Sequence, residues 1–298
     1  MSLEQVAPIA AAFRARRAQP VPPIEARRQG FEAQMANLPL PEDFTARPVQ
    51  IAAHLGGLFC DVGVIQKRVL LWLHGGAFVL GSSTSYQPFA ARLARASRAR
   101  VLLPDYRLAP EHVFPAALDD VMGTLDWLEA QGYAMDQIGV GGDSAGANLA
   151  LAAVQARAGE SRQTPSALWL ISPYLDLTHG GVSIRDRADR DPFIETSDMD
   201  ATAGVYLGPA SPADPRASPL FGNAKGLPPT LIQIGSEEVL FDDAARLRDA
   251  IDVAGGRVVF QEWAGMIHVW PLFAHAIEEG QWAIAQGGNF LQQIWVAE

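Results

Sequence analysis

Among its 298 residues the chain carries a single cysteine, Cys60. No intrachain disulfide can form, so a disulfide-stapled secreted fold is excluded. Cys60 stands between Phe59 and Asp61 in a strand-like segment, which suits buried packing rather than a nucleophilic thiol. Long apolar runs are missing too. No uninterrupted stretch approaches the roughly 18 residues needed to span a bilayer. Residues 1–12 lack the basic start and long apolar core of a secretory signal, so a soluble, cytoplasmic protein is expected. Positive charge is scarce: 23 Lys and Arg stand against 33 Asp and Glu, a formal net charge of −10. Such a chain repels nucleic acid and anionic lipid, and neither is expected as a partner. There is no internal repeat and no low-complexity tract.

What is present suits one large α/β domain with a small lid, or two ordinary domains. Apolar residues make up 49% of the chain, enough for a sizeable core, and 27 Gly with 21 Pro fit many strand–loop–helix junctions. Residues 1–45 read as helical. One helix over 6–17 is broken by Pro20, Pro22 and Pro23, and a second over 24–38 ends at Pro39 and Pro41. Arg14, Arg16, Arg17, Arg27 and Arg28 are interspersed with Glu4, Glu25 and Glu32, the pattern of a solvated helical face. Strands at 49–53 and 58–62 flank Gly56-Gly57 and read as a hairpin. The apolar run 69–73 predicts a strand buried on both faces.

Strands and helices then alternate. Helices are expected at 86–97, 115–131, 145–158 and 242–253, and strands at 101–103, 137–140, 168–171, 230–234 and 257–261. A last helix over 274–296 is interrupted at Gly287-Gly288. This order implies a mostly parallel sheet covered on both faces, with an antiparallel edge from the hairpin. About fifty residues separate the strands at 168 and 230. An insertion of that length is usually functional, and 178–220 together with 1–45 forms the expected helical cap.

Gly142-Asp143-Ser144-Ala145-Gly146 sits between a strand and a helix. The Gly-x-Ser-x-Gly pattern arises by chance about one time in ten in a chain this long, so its context carries the weight. On a tight strand-to-helix turn, glycines avoid collision and the serine hydroxyl is exposed at the carboxyl end of the sheet. Ser144 is therefore a candidate nucleophile, the alternative being an N-cap serine. His74-Gly75-Gly76-Ala77-Phe78 directly follows the strand ending at Leu73. A glycine-rich loop there can aim backbone N–H groups at a developing oxyanion. Gly76 and Ala77 are the expected donors, joined by Ala145, while His74 and Gly75 support the loop. A nucleophilic serine needs a base and the base an orienting acid, in the chain order Ser, Asp or Glu, His for an α/β-hydrolase. Of His179, His268 and His275, His268 lies in a loop after a late strand. His179 falls in the lid region and His275 in the expected last helix. The acid should follow the strand at 230–234, where Glu237, Glu238, Asp242 and Asp243 are candidates.

Taken together, these residues resemble the hormone-sensitive lipase family of bacterial carboxylesterases. The resemblance extends through Asp105-Tyr106-Arg107-Leu108-Ala109-Pro110-Glu111 and Phe114-Pro115-Ala116-Ala117-Leu118-Asp119-Asp120. It implies an α/β-hydrolase fold with a helical cap and a serine esterase acting on small-molecule esters through an acyl-enzyme. No metal or cofactor is implied, and a homodimer is an option. In register, Glu238 takes the acid position, where the family commonly shows Asp-Pro-Leu; Asp242 is the fallback. Ala77 stands where many members have a third glycine, a change that keeps the backbone N–H. The same fold and residues also cleave activated amides, and the sequence leaves ester and amide open. A non-catalytic receptor on this fold typically lacks one of the three residues; Ser144, Glu238 and His268 are all present.

Overall fold

Five consecutive apolar residues, Val69–Leu73, form a strand whose side chains are all buried. A run without polar alternation demands cover on both faces, and the sheet around it supplies that. The computed structural model describes residues 3–17, 19–36, 38–63 and 67–296. In chain order its strands are β1 (Phe44–Ala52), β2 (Leu55–Val62), β3 (Val69–Leu73), β4 (Arg100–Pro104), β5 (Ile138–Asp143), β6 (Ala167–Ile171), β7 (Thr230–Gly235) and β8 (Val258–Trp263). They make one sheet in the order β1-β2-β4-β3-β5-β6-β7-β8. β3 to β8 are parallel, and the β1–β2 hairpin joins antiparallel at one edge.

The hairpin turns three residues earlier than the glycines suggest. Ala53 and His54 make the turn, and Gly56 and Gly57 lie within β2. Gly57 is there for close approach: a Cβ on it would sit 2.6 Å from the Leu103 carbonyl of β4. Cys60 is fully buried on the same strand.

Helices α3 (Gln87–Ser97) and α9 (Glu278–Val296) cover one face. Helices α4 (Ala116–Ala130), α5 (Ala145–Gly159) and α8 (Phe241–Val253) cover the other. The last helix differs from expectation twice. It starts at Glu278, so exposed His275 lies in the turn before it, and it runs through Gly287-Gly288 without a break. A Cβ on Gly287 would lie 1.9 Å from the Trp169 ring, and one on Gly288 would lie 2.4 Å from Ala96 backbone. The intrinsic helix cost of glycine, about 1 kcal/mol each, is offset here by close packing against the sheet and α3.

The N-terminal helices α1 (Leu3–Arg17) and α2 (Ile24–Ala36) lie outside this sandwich. Asn37, within the expected second helix, lies outside the described residues. The stretch between β6 and β7 holds two further helices, α6 (Ser183–Asp186) and α7 (Met199–Leu207). The two irregular regions meet: Phe13 packs on Phe193 with ring centroids 4.3 Å apart, and Arg17 lies 3.6 Å from Glu195. Arg28 is not part of a solvated face. Its guanidinium donates to both Glu111 carboxylate oxygens at 2.8 Å, and to the carbonyls of Val79 and Ala109 at 2.9 Å. Among the described residues no helix is long and apolar enough to cross a membrane.

Candidate active site

β5 ends at Asp143 and α5 begins at Ala145, so one residue, Ser144, makes the whole turn. Its backbone sits at φ 54°, ψ −118°, a region disfavoured for a residue with a Cβ. The flanking glycines make the turn possible. A Cβ on Gly146 would stand 1.9 Å from the Leu73 carbonyl oxygen, and one on Gly142 would stand 2.4 Å from the Gly146 carbonyl carbon. Both obstacles are backbone and cannot swing away. Gly146→Ala is therefore expected to destabilise the fold by about 3 kcal/mol, read as a lower urea midpoint. An unchanged midpoint would contradict this packing.

The Ser144 hydroxyl does not cap α5. It lies 3.0 Å from His268 Nε2, and His268 Nδ1 lies 2.8 Å from Glu238 Oε2. His268 hangs in the loop after β8, and Glu238 in the turn between β7 and α8. Both are buried. Burial alone would pull the imidazole pKa down, but the hydrogen bond and charge of Glu238 outweigh it, so His268 lies above the usual 6.5. Burial also pushes the Glu238 carboxyl up, against its bonds to His268 and the Gly235 N–H.

The other acids are engaged elsewhere. Asp242 accepts from the Ser183 N–H at 3.0 Å, and Asp243 accepts from the Leu175 and Asp176 N–H groups at 2.7 and 3.0 Å. Glu237 is held by Arg190 at 2.7 Å. The fallback acid Asp242 thus faces the segment after β6, not the imidazole. His179 bonds Asp200 and the Tyr174 hydroxyl.

The loop after β3 turns through positive φ at Gly76 (117°), Ala77 (55°) and Phe78 (63°). Gly76 and Ala77 donate their N–H groups to no backbone acceptor among the described residues. Ala145 is the first residue of α5, where N–H groups have no partner within the helix. The loop is braced from behind. The Gly75 N–H donates to Asp143 Oδ2 at 3.1 Å, and the Tyr86 hydroxyl and Trp72 indole donate to the same carboxylate at 2.8 and 3.1 Å. Burial lifts the Asp143 pKa to about 6, despite these donors. Burial also drops His74 to about 4, so it is neutral at pH 7; its Nδ1–H donates to the Gly75 carbonyl at 2.8 Å.

Comparisons with known proteins bear on the fold and the family. The model of the alpha/beta hydrolase fold family matches residues 70–272. An acetyl-hydrolase from Streptomyces hygroscopicus is 43% identical over 76% of this chain and 75% of its own. An esterase from Acinetobacter venetianus is 36% identical over 83% of this chain and 82% of its own. The crystal structure of an esterase from the bacterial hormone-sensitive lipase family superposes with a TM-score of 0.94, at 34% identity over 98% of both chains.

The chain belongs to the bacterial hormone-sensitive lipase family of esterases.

Within this family member, the long motif from Asp105 to Asp120 has a structural part that sequence reasoning did not supply. The Tyr106 hydroxyl donates to the His74 carbonyl at 2.7 Å, and its ring stacks on the His74 imidazole at 4.3 Å. Asp105 accepts from the Ser83 N–H and hydroxyl, and Arg107 grips buried Asp120 through two nitrogens. The Ala109 N–H donates to the Phe78 carbonyl at 3.0 Å. The motif is a buttress under the glycine loop. Asp191 is a further residue that supports the site. It is fully buried, accepts from the Val239 N–H next to Glu238, and also caps Phe193 and Ile194. The Phe193 ring stands edge-on to His268 at 5.2 Å. A lone Asp in an insertion carries no sequence pattern that marks such a contact.

Proposed function

We propose that this esterase-family chain hydrolyses short- to medium-chain carboxylic esters through a Ser144–His268–Glu238 triad and an acyl-enzyme. The observation that carries the reading is the line from Glu238 Oε2 to His268 Nδ1 and from Nε2 to Ser144 Oγ, at 2.8 and 3.0 Å. The first span suits an orienting hydrogen bond to the imidazole, and the second suits proton transfer from the serine. Glu238 holds the imidazole with Nε2 unprotonated toward the serine. His268 takes the hydroxyl proton as Ser144 Oγ bonds to the ester carbonyl carbon. The carbonyl oxygen becomes an oxyanion facing the N–H groups of Gly76, Ala77 and Ala145, each such donor being worth ~3 kcal/mol. His268 then gives its proton to the leaving alkoxide, and the alcohol departs. Water, deprotonated by His268, attacks the acyl carbon, and the carboxylic acid leaves with Ser144 restored. The steps balance without a metal or cofactor.

Residues 1–45 and 178–220 are proposed as the cap over this site, which is supported by the Phe13–Phe193 and Phe193–His268 contacts. A short acyl group is favoured by two comparisons. One relative is named an acetyl-hydrolase. A crystal of the esterase EstE5 soaked by p-nitrophenyl butyrate matches with a TM-score of 0.92, at 34% identity over 98% of this chain and 99% of that one. An aryl organophosphonate tests the reading: one equivalent should attach at Ser144 and abolish hydrolysis of p-nitrophenyl butyrate. Labelling elsewhere with activity lost would refute it.

A pH dependence follows from the site. His268 must be neutral at Nε2 to act as base, and its pKa lies above 6.5. As pH falls through that raised value the base is protonated, and kcat/KM should drop about tenfold per pH unit. The acidic limb, followed by chromatography of the released alcohol, is expected above pH 6.5. A limb below that value would contradict the Glu238–His268 coupling.

A further inference from the structure

We propose that Ser172, which directly follows β6, is a positioning residue that sets the Glu238–His268 pair for catalysis; this rests on the triad reading above. Ser172 is fully buried and stands at φ 48°, in the left-handed region. Its hydroxyl donates to Glu238 Oε1 at 2.8 Å and accepts from the Val269 N–H at 3.0 Å. One side chain therefore touches the acid and the backbone beside the base.

Its neighbours hold the third loop. The Ser144 N–H donates to the Ile171 carbonyl at 2.9 Å, and the Tyr174 N–H donates to the Ser144 carbonyl at 3.2 Å. The Ser172 N–H itself donates to the Gln233 carbonyl of β7 at 2.8 Å, which fixes the segment to the sheet. Residues 171–174 thus connect the turns that bear the serine, the acid and the base.

The acid needs such an anchor. A glutamate has one more rotatable bond than an aspartate, so its carboxylate is less firmly placed by the backbone. Ser172 Oγ and the Gly235 N–H, at 2.8 and 2.6 Å, both hold Oε1. With Oε1 pinned, Oε2 is left aimed at His268 Nδ1. The bond to Val269 fixes the chain immediately after His268, where φ is 49°. Without the hydroxyl, a buried Val269 N–H loses its acceptor and the carboxylate loses a donor. A carboxylate with fewer donors binds the imidazolium proton more tightly.

Two variants separate the hydroxyl from the backbone. Ser172→Gly removes the hydroxyl and accepts the positive φ without strain, whereas Ser172→Ala removes it and keeps a Cβ. Each is compared with the native chain on p-nitrophenyl butyrate for kcat, KM and the pH profile of kcat/KM, with Ser144→Ala run in parallel. Both Ser172 variants should lose about tenfold in kcat, the size of one charge-assisted hydrogen bond. KM should be nearly unchanged, and the acidic limb should move to higher pH. A Ser172→Gly chain with native kcat and an unmoved limb overturns the proposal. So does a loss confined to Ser172→Ala, which would trace the effect to backbone conformation. Activity retained by Ser144→Ala would instead overturn the underlying triad, and this proposal with it. An inert Ser144→Ala beside a native-like Ser172→Gly leaves the triad standing and removes only Ser172.

Discussion

Ser144→Ala is expected to lower kcat/KM on a short-chain p-nitrophenyl ester by about 10⁵-fold, in line with losses on removing a serine nucleophile elsewhere. The fold should survive. The Ser144 hydroxyl makes no cap bond to α5, and its partner in the structure is His268 Nε2. Alanine keeps a Cβ at the same strained φ and ψ, so the turn is no worse off. His268 stays paired to Glu238 through Nδ1. What disappears is the atom that would bond to the acyl carbon, and water at the same place is a far poorer nucleophile. On the proposed mechanism, residual turnover would come from water attack assisted by the backbone N–H groups of Gly76, Ala77 and Ala145. The check is steady-state kinetics on chain freshly purified from contaminating esterases, with circular dichroism to show that the fold is retained. Activity within tenfold of native would mean that another group attacks.

Glu238→Gln should cost about 10⁴-fold in kcat. The amide is nearly isosteric, so shape is not the issue. The amide oxygen can still accept from Ser172 Oγ and the Gly235 N–H, which now hold Oε1. That leaves the NH₂ facing His268 Nδ1. Two donors cannot pair, so the ring adopts the tautomer with its proton on Nε2. Nε2 then points an N–H at Ser144 and cannot take the hydroxyl proton. The imidazolium that would form later also loses its counter-charge. Asp242→Asn is the companion experiment. Asp242 accepts from the Ser183 N–H, 59 residues earlier in the chain, and does not meet the imidazole. Its kcat is expected to stay near native. Loss with Asp242→Asn and tolerance of Glu238→Gln would reverse the assignment of the acid.

The contrast between these two acids marks how far local pattern reaches. Glu238 and Asp242 are four residues apart in a turn that enters α8. Family register favoured Glu238, but residue type alone left four acids open. Direction decides between them, and direction is set by distant residues: Asp191 holds the Val239 N–H, Ser172 holds Oε1, and Ser183 draws Asp242 away. Each of those contacts joins residues more than forty positions apart. No periodicity records them.

Local pattern reached furthest where one segment decides its own shape. The five-residue apolar strand at Val69, the glycines around Ser144 and the glycine loop after Leu73 were all legible, because each is imposed by sterics within a few residues. The alternation of strands and helices likewise implied the parallel sheet. Glycine misled where its reason was tertiary. Gly56-Gly57 looked like a turn and is a strand pressed on β4; Gly287-Gly288 looked like a break and is a helix pressed on Trp169 and Ala96. From sequence, a glycine that bends the chain and one that admits a neighbour are identical. So the sequence by itself determined the layered fold and the residue types that can do acyl chemistry. Only the tertiary structure decided which acid faces His268, what braces the glycine loop and how Ser172 links the loops, because those are distances between segments that meet only after the sheet has formed.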